Sequence, residues 1–79
     1  MSPAEAQEVR NFLMHSNDTY RQLAERHHEL DNRLHELTER HYLSTNEQVE
    51  EITLKKRKLA LKDQMEMIAR EYARKHAHS

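Results

Sequence analysis

The chain contains no cysteine, no glycine and no tryptophan, and Pro3 is its only proline. Without cysteine there is no disulfide framework and no thiolate metal site, and the chain suits a reducing compartment. The absence of glycine removes the residue that enters left-handed backbone without steric cost. Tight hairpin turns, nucleophile elbows and phosphate-cradling loops therefore lack their usual material. Aromatic residues are scarce as well, with three Tyr and one Phe. No apolar run approaches the ~20 residues that cross a bilayer, and no signal peptide is recognisable at the N-terminus. These absences point to a soluble, cytoplasmic protein that makes no membrane contact.

What remains is rich in Glu, Lys, Arg, Leu and Ala, the composition of long helices. With 79 residues the chain is expected to form a single helical domain, 1–79. One core of this size supplies only about 3–5 kcal/mol, so association or well-regularised helix packing is needed to support it. Residues 1–43 carry five Arg against eight acids, a net of −3; residues 44–79 carry eight Lys or Arg against six acids, a net of +2. Such complementary halves suit helices lying side by side, in one chain or between chains.

Helix signals divide the chain into segments of about 3–15, 18–42 and 45–75. Ser2, Pro3 and Glu5 form a capping box with proline at the first helical position. Ala6, Val9, Phe12 and Leu13 then make a short amphipathic helix. His15-Ser16-Asn17-Asp18-Thr19 holds four side chains that compete for backbone hydrogen bonds, which predicts a break with Ser16 or Asp18 capping the next helix. The alternative is an unbroken helix over 3–41. From Tyr20 a seam follows at alternating three- and four-residue spacing: Leu23, His27, Leu30, Leu34, Leu37 and His41. A second capping box, Ser44 with Glu47 or Thr45 with Gln48, starts the last helix. So short a connection favours an antiparallel helical hairpin. The overall expectation is an all-α, coiled-coil-like hairpin with a short N-terminal helix.

The last helix has two apolar stripes. Leu54, Lys58, Leu61, Met65, Ile68 and Tyr72 form the hairpin seam. Val49, Ile52, Leu59 and Met67 lie on roughly the opposite side at ~100° per residue. One face closes the hairpin; the other needs the N-terminal helix, a second copy or a partner to cover it. Residues 74–79 lose the pattern and are expected to fray.

HHELDNRLHEL (27–37) and LKKRKLALKDQMEMI (54–68) carry a resemblance. The positions are His27, Leu30, Asp31, Leu34 and Leu37, then Leu54, Lys55, Lys56, Lys58, Leu59, Leu61, Lys62 and Asp63. Over about residues 10–72 the chain resembles the YdcH-like small bacterial proteins, a domain-of-unknown-function family. Where members often carry a proline near the break, this chain has Ser16-Asn17-Asp18-Thr19. The resemblance implies an all-helical hairpin and assigns no activity.

Candidate chemistry is sparse. Lys55, Lys56, Arg57 and Lys58 splay around a helix, and only Lys55, Lys58 and Lys62 share a face. That stripe suits a solvated or ion-paired surface, with Glu51 and Glu66 at i,i+4 spacing. Nucleic-acid binding, the alternative reading, calls for more positive charge and stacking aromatics. His28, Asp31 and His35 share a face at metal-ligand spacing, but without further ligands they read as surface residues. His76-Ala77-His78 offers only adventitious metal contact. His27 and Asp31 are expected to form a structural polar pair at the hairpin core. Tyr20, Tyr42 and Tyr72 read as packing residues. Glu50 and Glu51 are adjacent and point apart, and no loop mounts a nucleophile with a base. Neither catalysis nor a cofactor is expected. The function implied is protein–protein interaction: a self-associating adaptor, scaffold or accessory subunit, dimer favoured, with a protein partner in an unspecified process.

Overall fold

A computed structural model describes residues 2–76 as three helices: α1 (Pro3–Ser16), α2 (Asp18–Thr38) and α3 (Thr45–His76). Helices α2 and α3 form the hairpin, and α1 packs against both of them at its open end. The molecule is elongated, 54 × 21 × 18 Å. No helix among the described residues is long and apolar enough to cross a membrane.

Each helix starts on a side-chain cap. Ser2 Oγ accepts from the Glu5 N–H at 3.2 Å, and Pro3 follows at the first turn, where its missing N–H costs nothing. The break between α1 and α2 is present, but neither Ser16 nor Asp18 caps it. Ser16 Oγ donates back to the Phe12 carbonyl at 2.8 Å, and Asp18 pairs with Arg21. Asn17 does the capping: its backbone is extended (φ −126°, ψ 108°), and its Oδ1 accepts from the Tyr20 N–H at 2.8 Å. A single residue thus ends one helix and begins the next.

Helix α2 stops at Thr38, four residues short of the expected end near 42. The Thr38 hydroxyl donates to the Leu34 carbonyl at 2.8 Å. The Arg40 N–H then bonds to the Leu37 carbonyl at 3.2 Å, a tightened last turn. The early stop lets Leu43 fold back over the core. It also removes His41 from the seam that the heptad pattern suggested, and it leaves Tyr42, expected to be a packing residue, 91 % exposed. The connection spans residues 39–44 and uses no left-handed backbone. Its exit is a reciprocal capping box: the Glu47 N–H donates to Ser44 Oγ at 3.1 Å, and the Ser44 N–H donates to Glu47 Oε1 at 3.0 Å. Arg40 closes over the same Glu47 carboxylate from the other side of the turn.

The core is small. Leu34, Leu37 and Leu54 are buried together, with Leu30 and Leu43 packed against them near the turn. At the open end Leu13 and Tyr20 are buried. There the Phe12 ring lies 5.0 Å from Tyr72, and Tyr72 lies 4.3 Å from His76. Helix α3 is still regular at Arg74–His76, where fraying was expected; the rest of that expectation, and of the His76–His78 pair, lies outside the described residues.

Candidate interaction surface

Apart from His41, the seam positions turn inward. Leu34, Leu37 and Leu54 are buried, while Leu23, His27, Leu30, Leu61, Met65, Ile68 and Tyr72 are half-buried. The opposite face of α3 is bare: Val49, Ile52, Leu59 and Met67 are 58, 56, 60 and 68 % exposed. Helix α1, one candidate cover for this stripe, leaves most of it open. Its Ala6, Val9 and Arg10 line a small cleft with Glu66, Ala69 and Arg70, at the C-terminal end of the stripe, and leave Val49, Ile52 and Leu59 uncovered. Tyr42 is an isolated exposed ring, whereas the four α3 side chains share one side of the helix.

Among the described residues, three ion pairs join the two sides of the hairpin. Arg33 grips Glu50 with two parallel bonds, Nε to Oε2 at 2.8 Å and Nη2 to Oε1 at 2.9 Å, each side chain about one-third exposed. Arg33 Nη1 also donates to Glu36 at 3.1 Å. These bonds hold the Glu50 carboxyl below its usual range and raise the Arg33 guanidinium, with the bond to the partner the largest cause in each case. Arg40–Glu47 and Lys58–Asp31 are the others. Only Lys58–Asp31 runs in the direction that the net charges of the two halves suggested. The other two place Arg on α2 or its connection against Glu on α3, because local register rather than net charge selects partners.

The Lys58 pair also corrects the expected His27–Asp31 pair. Asp31 accepts from the Lys58 ammonium. That bond chiefly holds its carboxyl below the usual range, and the nearby His27 and His28 contribute less. His27 instead stands half-buried on the wall of an open groove between α2 and α3. Lys55, Lys58 and Lys62 line the same groove, so the lysine stripe does converge there. Much of its charge is occupied: Lys58 is held by Asp31, and Lys55 donates to Glu51 at 3.4 Å. Glu66, expected opposite Lys62, turns to Arg70 at 3.6 Å. Among the described residues, no group of three or more His, Asp or Glu side chains converges as metal ligands do.

Helix periodicity alone does not single out Arg33 and Glu50. Each flanks its seam, Arg33 just before Leu34 and Glu50 one turn before Leu54. Their meeting depends on where the hairpin turns, and α2 ends four residues before the heptad pattern suggests.

The model of the family described as Protein of unknown function (DUF465) matches residues 21–69. The chain belongs to this family. YdcH is a member of it, in line with the resemblance carried by the two seam motifs. The family segment takes in the hairpin and all four residues of the bare stripe. Helix α1 and its aromatic partner Tyr72 lie outside it. No curated protein and no solved structure matched the chain.

Proposed function

We propose that this DUF465 protein is a protein–protein interaction module: a helical hairpin that self-associates, dimer favoured, and serves as a small adaptor, scaffold or accessory subunit. The observation that carries the reading is the row Val49, Ile52, Leu59 and Met67. Each is more than half exposed on α3, and of the four Leu59 also borders the groove between α2 and α3. Removing such a row from water is favourable by about 25 cal/mol per Å² of apolar surface. A thin core gains from that contribution more than a large one does. No catalytic role and no cofactor belong to this reading.

The test is sedimentation velocity over micromolar to millimolar concentrations, with Leu59→Glu as the variant. A wild-type dimer that Leu59→Glu makes monomeric supports the reading, and a wild-type monomer throughout overturns it. Ionic strength separates the nucleic-acid alternative built on Lys55, Lys58 and Lys62. Binding to phosphate weakens steeply with salt, whereas association through an apolar stripe changes little. Fluorescence anisotropy with a single-stranded and a duplex oligonucleotide at two salt concentrations distinguishes them.

A further inference from the structure

The bare stripe is not purely apolar, and its two charged members are informative. At about 100° per residue, Lys56 and Asp63 fall on the same face of α3 as Val49, Ile52, Leu59 and Met67. Both are exposed, and neither makes an ion pair among the described residues. Two charges flanking the stripe on the groove side are satisfied within the chain, Lys55 with Glu51 at 3.4 Å and Glu66 with Arg70 at 3.6 Å, whereas Lys62 makes no ion pair among the described residues.

The order along the face is Val49, Ile52, Lys56, Leu59, Ala60, Asp63, Met67 and Arg70. Ile52 and Met67 are equidistant from the Leu59–Ala60 bond, and so are Lys56 and Asp63. An antiparallel copy related by a two-fold axis placed there sets Ile52 against Met67, Leu59 against Ala60 and Lys56 against Asp63, and only at the ends does an apolar residue, Val49, face a charge, Arg70. An interface between identical chains is self-complementary when it has this property, with residue i meeting j and j meeting i. Parallel pairing in register would instead set Lys56 against Lys56 and Asp63 against Asp63, and like charges across an interface are destabilising.

We infer that the partner for this face is a second copy of the chain, docked antiparallel along α3 about a two-fold axis at Leu59–Ala60, with Lys56 of each chain paired to Asp63 of the other. The inference rests on the self-association reading above and adds its orientation and register. Helix α1 is engaged against Glu66, Ala69, Arg70 and Tyr72, at the C-terminal end of the site, and leaves its centre between Lys56 and Asp63 open.

The chain has no cysteine, so introduced cysteines report without background. In the antiparallel dimer, Leu59→Cys sits beside its own mate and forms an intermolecular disulfide under mild oxidation. Val49→Cys lies opposite Arg70, about 31 Å along the helix from its mate at 1.5 Å per residue, and stays reduced. Charge reversal gives an independent readout. Lys56→Asp and Asp63→Lys each raise the dimer Kd at least about tenfold. The two variants mixed together restore dimerisation, as does the double variant K56D/D63K. Circular dichroism on these surface variants checks that the hairpin is intact.

Each alternative result has a distinct meaning. If the wild type dimerises and Val49→Cys crosslinks as readily as Leu59→Cys, the antiparallel orientation is wrong while the self-association reading survives. A dimer unaffected by the single reversals overturns the register in the same way. If the dimer persists in Leu59→Glu and neither cysteine crosslinks, the interface lies elsewhere. A wild type monomeric to millimolar concentration removes both the inference and the reading beneath it.

Discussion

Leucines of identical chemistry play opposite parts in this chain, and burial separates them. Leu37 is 1 % exposed and Leu59 is 60 % exposed. Replacing a buried leucine by alanine costs about 2–5 kcal/mol, comparable with the whole stability of about 3–5 kcal/mol available to so small a core. Leu37→Ala is therefore expected to be largely unfolded at room temperature by circular dichroism. Leu59→Ala, in dilute protein, should stay within about 0.5 kcal/mol of wild type. Glu50 supplies the pH dependence at the same scale. Arg33 lowers its folded carboxyl pKa from an ordinary 4.5. Its contribution is therefore full above that value and is lost as pH falls through it toward the folded pKa. The urea midpoint of wild type should fall between pH 5 and pH 3 more steeply than that of Glu50→Gln, measured by denaturation at each pH. Neither Arg33 nor Glu50 stood out in the sequence, because each is one charged side chain among many until the register of the hairpin joins them.

Helix ends were the least legible elements. The sequence offers several capping residues in a row at 15–19, and the rotamer each adopts decides between them. Ser16 turns back to Phe12, Asp18 goes to Arg21, and Asn17 is left to cap Tyr20. Asn17→Ala should cost about 1 kcal/mol in urea unfolding, and Ser16→Ala should lie within about 0.5 kcal/mol of zero. Ser44→Ala should also cost about 1 kcal/mol, because it removes one half of the capping box that starts α3. The start of α3 was legible, since Ser44 and Glu47 form a local motif complete within four residues. The end of α2 was not. Periodicity carries the heptad on to His41, whereas packing of Leu43 onto Leu34, Leu37 and Leu54 pulls the chain out of the helix at Thr38. That pull comes from residues on another element, and a local pattern cannot register it.

For the whole molecule, the hairpin leaves one face of α3 uncovered, and α1 strengthens the open end instead of covering it. An assembly of this kind ties folding to concentration, because anything that binds only the folded state raises its apparent stability by mass action. The thermal midpoint should therefore rise as protein concentration increases from about 5 to 500 μM, as followed by circular dichroism. It should become independent of concentration in Leu59→Glu. A midpoint that does not move in the wild type argues against the self-associated form.

The sequence by itself determined the helical class, the hairpin and the two-sided character of α3. Those properties follow from periodicity and from the absence of glycine, and both act along the chain over a few residues. Tertiary structure decided where α2 stops, which carboxylate each cation holds, and which apolar stripe remains bare. Asp31 shows the difference. Its sequence neighbour His27 is one turn away on the same helix, but the partner it takes is Lys58, brought across from α3 by the turn at 39–44. Pairing between elements depends on register, and register is set by how few large leucines fit together rather than by any residue's own preference.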